Sequence, residues 1–401
     1  MIPIPAFTFC VTPSLEGCTM NRQILPLWLT STAQALAQFV DDDKRGIIGR
    51  YRVQVLKEEH MIYARRFALL FIVTIVLVST LAGANPLPGL RVSLPPVMGC
   101  LPIAFANGWD LFAQNGLDVD VVGLSDNQAR ILALMAGDID GMVCDVSTAI
   151  LLITSGTDVV VTSTAYHPEQ TGSLALLSPS YFHIDSVDDL LNRTETGNTL
   201  KSIAITEMSD IEYEVDSLLI SLGHSVSPNK DYSYWHDMLQ LAMFLNLGSV
   251  YAAVLPEPYI TYLSKYPQIK PGSTFVHLSD FAGIDLLPSI IVFRRDVVDK
   301  SPDAVATFYD VYREAMDRIN DMPRDELTTT GIDIALSLFF PGLGKDAVPE
   351  GILDDFALPH FSYPAMLSKQ KFEDVVAWLK WKGYTWKHPT YEDVTTDQFI
   401  K

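Results

Sequence analysis

Residues 108–148, GWDLFAQNGLDVDVVGLSDNQARILALMAGDIDGMVCDVST, restrict the folds open to this chain more than any other stretch. They hold two strand-like runs, 119–123 and 141–144, on either side of a helical run, 127–136. The DVDVV run alternates in twos, as a half-buried strand does, while Ile131, Leu134 and Met135 fall on one helical face. Two strands joined by a helical crossover predict a parallel βαβ unit, since parallel neighbours need a long connection. In such sheets the ligand crevice lies beyond the carboxyl ends of the strands. Those ends are two short polar turns, Leu124-Ser125-Asp126-Asn127 and Asp145-Val146-Ser147-Thr148. Side chains of this kind cap the next helix through its free N–H groups, and the same N–H groups and side chains can hold a ligand. Both roles stay open for Ser125, Asp126, Asn127, Asp145, Ser147 and Thr148.

The rest of the chain repeats the alternation. Residues 89–96 begin as a strand and break at Pro95-Pro96, and 101–111 have helical spacing up to a stop at Asn115-Gly116. A Val- and Thr-rich strand at 158–164 completes a first α/β lobe. Residues 165–172 are polar and turn-rich, a surface loop or a hinge. Strands at 173–177, 202–206, 232–235 and 250–255 then alternate with helices at 187–191, 211–222, 237–247 and 257–265, which predicts a second lobe on the same plan. Further strands begin at 274 and 289. From 301 the chain is mostly helical: Ser301-Pro302-Asp303 opens an amphipathic helix, and a helix at 369–383 closes the fold.

Other candidate residues lie at strand ends. Met98 and Cys100 follow the first strand and can line an apolar part of a site. Ser209, with Asp210, precedes a helix of the second lobe and is a cap or a contact. Glu257 ends a strand and suits a helix start by charge alone, yet it can also accept a hydrogen bond from a ligand amine. Tyr166, Trp235 and Trp109 are aromatics near strand ends, placed either to pack in the core or to stack on a flat ring.

Composition narrows the partners. With 401 residues, 48% of them hydrophobic, the chain can bury cores for more than one domain. A net charge of −20 argues against nucleic acid as a partner. Arg65-Arg66, the apolar run 67–81 and Ala82-Gly83-Ala84 have the order of an export signal cleaved after Ala84. An uncleaved membrane anchor is the alternative reading. We read Met61 as the natural start and residues 1–60 as an upstream extension outside the native protein. Of four cysteines, Cys100 and Cys144 follow the signal, and they form either a disulfide or two buried thiols.

Three motifs resemble the periplasmic substrate-binding proteins of ABC importers, in the branch that takes sulfonates, nitrate and thiamine-pyrimidine precursors. They are GWDLFAQNGLDVDVV (108–122), ALMAGDIDGMVCD (133–145) and YAAVLPEPYIT (251–261), in that order behind the export signal. The resemblance implies a type II periplasmic-binding-protein fold of the α/β class, with two lobes, each a mainly parallel sheet flanked by helices. Lobe one would comprise 85–171 and 285–401, and lobe two 172–284. The ligand cleft would lie between them, walled by Met98, Cys100, Ser125, Asp126, Asn127, Asp145, Ser147, Thr148, Tyr166, Ser209, Trp235 and Glu257. The implied protein is an exported monomer that passes a small molecule to a membrane permease. With so few Arg or Lys near the turns, a neutral or cationic heteroaromatic such as a pyrimidine is favoured over sulfonate or nitrate.

Catalytic signatures are sparse. No HExxH or CxxC occurs, residues 342–345 lack the spacing of a phosphate loop, and 123–127 lack the closing Gly of a nucleophile elbow. We therefore expect no enzyme activity, no cofactor and no metal. The competing readings are an enzyme of pyrimidine-precursor synthesis on the same fold, and a membrane-tethered ligand sensor.

Overall fold

The structure, a computed structural model, describes residues 87–167, 173–192, 203–228, 232–342 and 358–400. The upstream extension and export signal expected before residue 85, and residues 168–172 of the expected loop or hinge, lie outside the described residues. Among the described residues no helix is long and apolar enough to cross a membrane.

Strands β1 (Leu90–Ser93), β2 (Val119–Val122), β3 (Gly141–Cys144), β4 (Val159–Tyr166), β5 (Leu174–Pro179), β6 (Ile203–Thr206), β7 (Ser233–Trp235), β8 (Ala252–Pro256), β9 (Phe275–Ser279) and β10 (Ser289–Arg294) form two five-stranded sheets. Their orders are β2-β1-β3-β10-β4 and β7-β6-β8-β5-β9. Both are mixed in the same way. β10 runs antiparallel to β3 and β4, β5 runs antiparallel to β8 and β9, and the other pairs are parallel. The reversed strand in each sheet is the one by which the chain arrives from the other sheet.

Helices in chain order are α1 (Leu101–Gly108), α2 (Leu111–Gln114), α3 (Asn127–Ala136), α4 (Val146–Ser155), α5 (Val187–Leu191), α6 (Asp210–Ser221) and α7 (Met238–Asn246). They continue with α8 (Tyr259–Lys265), α9 (Arg295–Lys300), α10 (Pro302–Asp321), α11 (Arg324–Phe339), α12 (Lys369–Trp381) and α13 (Tyr391–Val394).

Both faces of each sheet are covered, so successive strand residues serve different cores. Val143, Ile291 and Phe293 face the core that contains α1 and α10, while Met142, Cys144, Ile290 and Val292 face the one that contains α4 and α12. In the second sheet Ala175, Leu177 and Leu255 join that first core, and Leu174, Leu176, Val254 and Ile205 face a core of their own. One continuous apolar core thus runs from one lobe into the other. Cys100 and Cys144 are free thiols, both buried.

Two local expectations need correction. The helix predicted over 101–111 breaks at Asp110, which takes a left-handed conformation (φ 57°) that Asp tolerates better than most residues. The break turns Leu111 and Phe112 into the core, and Trp109 packs edge-on against Phe105 with the Arg318 guanidinium 4.3 Å above its ring. On α3, Leu134 is buried as expected, but its buried partner one turn earlier is Arg130, and Met135 is 53% exposed.

The lobes are also joined behind the sheets by buried charge. Lys382, just past α12, lies with its Nζ 2.9 Å from Glu212 Oε1 and 3.1 Å from Asp216 Oδ2, both on α6, and its side chain is 0% exposed. Asp216 accepts further hydrogen bonds from Tyr232 Oη (2.6 Å) and Trp378 Nε1 (2.8 Å), and Glu212 accepts one from Tyr384 Oη (2.9 Å). A second link is apolar: Tyr259 of α8 packs against Phe340 and donates to the Phe339 carbonyl at 2.8 Å. A third is at the crossing, where Lys371 Nζ donates to Asp285 Oδ1 and the Leu286 carbonyl, both at 2.8 Å.

Candidate functional site

Between the two sheets lies a cavity of about 220 Å³. It is far larger than the ~30 Å³ share of one water molecule. Its walls are the strand ends that alternation alone would send there. Met98 and Gly99 follow β1, Ser125 follows β2, Asp145 follows β3, and Tyr166 ends β4. From the other lobe come Thr206, which ends β6, Ser209 and Asp210 after it, His236 after β7, and Pro256 and Glu257 at the end of β8. The reversed strands β5 and β10 contribute their starts, Leu174 and Ser289. Gly99 allows this crowding, since a Cβ there would sit 2.5 Å from Tyr166 Cβ.

Met98, Ser125, Asn127, Asp145, Tyr166, Ser209 and Glu257 all line the cavity. The other five candidates do not, and each has a local reason. Cys100 is wholly buried in the core beneath α1. Asp126 caps α3, its Oδ1 accepting from Ala129 N at 2.8 Å. Ser147 is buried, its Oγ donating to the Met208 carbonyl of the other lobe at 3.3 Å. Thr148 and Trp235 line a second cavity of about 410 Å³, on the far side of a wall shared by Asn127, Thr206 and His236. That wall is an interlobe contact: Asn127 N donates to the His236 carbonyl at 3.4 Å, and Gln128 Nε2 lies 3.3 Å from His236 Nδ1.

Sequence reasoning passed over Arg130 and Glu214 as cavity residues, while Asp210, named there beside Ser209 as a cap or a contact, lines the cavity. Arg130 is only 5% exposed and folds back on its own turn, donating from Nη1 to the Leu124 and Ser125 carbonyls (both 3.1 Å) and from Nη2 to Asn127 Oδ1 (3.0 Å). Glu214 stands one turn after Asp210, and its Oε1 accepts from Leu287 N at 2.9 Å. The i, i+4 spacing from Asp210 is the one signal that would have placed Glu214 on the same face.

The start of α4 shows an exchange across the cleft. Asp145 precedes this helix but makes no cap bond to it. Instead Asp210 of the other lobe takes the place, its Oδ2 accepting from Val146 N (2.8 Å) and its Oδ1 from Ser147 N (2.9 Å). The Asp210 backbone N–H in turn donates to Asp145. Ser209 does not cap α6 either, because its Oγ donates to the Thr206 carbonyl. Each lobe therefore supplies the acidic partner for a helix start of the other.

Burial raises all of these carboxyls. Asp210 is pushed up to about 8, first by burial and then by the neighbouring charge of Asp145. Asp145 is raised by burial against the opposing pull of Arg130, and Glu214 rises well above the usual range through burial and Asp210. Glu257 is raised by burial too, although Thr261 donates to it through both N and Oγ1. Such groups bind protons more tightly in the folded chain than in the unfolded one. The stability they contribute is therefore present at acid pH, below the ordinary carboxyl value near 4, and is lost as pH rises toward 8. The denaturant midpoint should fall from pH 5 to pH 8 at constant ionic strength, and Asp210→Asn should flatten that slope. A midpoint that rises over this window, or an unchanged slope in the variant, would refute the assignment.

The cavity, placed at the carboxyl ends of parallel strands in two facing α/β lobes, defines the class: this is the periplasmic-binding-protein fold. The structure aligns with the alkanesulfonate-binding protein SsuA of Xanthomonas axonopodis pv. citri bound to MOPS, at a TM-score of 0.62 and 16% identity over 78% of this chain and 99% of that one. It aligns with the zinc-bound ligand-binding component of an ABC-type import system from Staphylococcus aureus at 0.56 and 14% identity, over 78% and 97%. It also aligns with the periplasmic nitrate-binding protein NrtA of Synechocystis PCC 6803 at 0.53 and 14%, over 79% and 88%. Identities this low make the likeness one of fold. The sequence matches no protein-family model and no curated protein. Among the described residues no group of three or more His, Cys, Asp or Glu is placed to hold a metal ion.

Proposed function

We propose that this chain is an extracytoplasmic solute-binding protein of an ABC importer, which closes two lobes over a small organic molecule and presents it to a membrane permease. The observation that carries the reading is the cavity itself, walled by strand ends of both lobes in a fold shared with import proteins. Closure excludes water, so each polar contact inside gains strength.

The wall chemistry favours a neutral or cationic heteroaromatic molecule, with a pyrimidine as first choice. Asp145, Asp210, Glu214 and Glu257 give the cavity four carboxyls against one guanidinium, and three of that guanidinium's donor contacts go to its own turn. Tyr166 and Met98 supply ring and thioether surface against which a flat molecule can pack.

Thermal-shift screening, followed by calorimetry, tests both levels. A solute at 100 times its dissociation constant should stabilise the protein by about 2.7 kcal/mol. Saturable binding of aminopyrimidines with no response to sulfonates or nitrate is the expected result. Binding of sulfonates alone would refute the charge preference while keeping the transport role. Silence across pyrimidines, flavins, sulfonates, nitrate and polyamines would count against the transport role as well.

A further inference from the structure

The start of α4 has the ordinary equipment for holding an anion. Val146 and Ser147 present backbone N–H groups at a helix N-terminus, in a buried position at the end of β3. A second feature, in the wall of the cavity beside it, points to the same chemistry. Arg130 lies in its wall, 5% exposed, and its Nε has no hydrogen-bond partner among the described residues. A chain with only these two features would hold an acidic solute.

This chain fills the position itself. The Asp210 carboxyl group accepts from both N–H groups, at 2.8 and 2.9 Å, and so fills the place an oxyanion of a solute would take. Asp145 stands beside it with a second carboxyl, and Glu214 follows one turn along α6. An incoming anion would have to displace Asp210 and then sit among these carboxyls.

We propose that Asp210 sets the charge of the solute: by occupying the helix start of the first lobe, it excludes acidic molecules and leaves the cavity to neutral or cationic ones. This rests on the solute-binding role proposed above and assigns that role to a specificity-determining residue. Asp210 acts by mimicking one part of a solute. The complementary part is then a proton donor or cation directed at the Asp145 and Asp210 pair.

The test uses the purified full chain and inorganic sulfate, measured by calorimetry and by the amide ¹⁵N–¹H shifts of Val146 and Ser147. Native protein should show no saturable sulfate binding. Asp210→Ala should gain saturable sulfate binding, with the two amide signals moving as sulfate is added. Asp210→Asn keeps the size of the side chain and is measured in parallel, so that a folding defect in the alanine variant leaves the question decidable. Sulfate binding above the native level at these amides, in either folded variant, supports the proposal. Equal sulfate affinity in native protein and both variants overturns it, and so does native protein that binds sulfate through the same amides. Sulfate needs no knowledge of the natural solute. Failure of the transport reading would appear separately, as native protein that binds no organic compound.

Discussion

Lys382→Ala should lower the folding stability by about 3–5 kcal/mol, read as a fall in the denaturant midpoint. The native ammonium lies 2.9 Å from Glu212 and 3.1 Å from Asp216, in a pocket closed by the rings of Tyr232, Trp378 and Trp381. Truncation leaves two buried carboxylates without their countercharge, and that stranded charge is the source of the loss. A triple change, Lys382→Met with Glu212→Gln and Asp216→Asn, should therefore recover a large part of it. A single-variant loss below about 1 kcal/mol, the scale of an exposed ion pair, would show that the cluster is hydrated and carries little. Because the cluster joins α6 to the residues following α12, the loss should reach both lobes and leave a single unfolding transition.

Arg130→Met should be the most damaging change at the cavity wall. Its guanidinium ties together the turn that carries Ser125 and Asn127, and it is the cation that opposes the burial of Asp145. Removing it strands two carbonyls and a buried carboxyl, at a cost of roughly 3 kcal/mol or more. Affinity for whichever solute the screen identifies should fall by more than about tenfold, because the turn is part of the wall. Arg130→Lys should restore only part of either loss, since an ammonium cannot reproduce the planar fork that reaches three acceptors at once. Full recovery by lysine would show that charge alone matters at this position.

The βαβ core was legible because its signals are local: alternation in DVDVV, helical spacing after Asn127, and polar turns at the strand ends. Those turns also pointed to the cavity, and seven of the twelve candidates line it. What stayed hidden depends on partners far along the chain. Lys382 reads as a surface lysine until Glu212 and Asp216 close over it from the other lobe. Asp210 reads as a cap or a contact of its own lobe, and only the folded chain brings Val146 and Ser147 of the other lobe to it. Arg130 was masked by the apolar residues beside it, whose spacing fits a buried face equally well without an arginine in it. Thr148 and Trp235 follow the right strands but face the other side of the wall at His236, a distinction that strand ends alone do not make.

The reversed strands carry a mechanical consequence. β10 enters the first sheet between β3 and β4, and β5 enters the second between β8 and β9, so both incoming strands lie inside a sheet with neighbours on either side. A pull along such a strand loads its two ladders in shear, with all their hydrogen bonds bearing together, whereas an edge strand can be peeled one bond at a time. Force arriving from the neighbouring lobe is thus spread over a whole sheet. The chain returns to the first sheet through the short run between β9 and β10, where Lys371 holds Asp285 and Leu286.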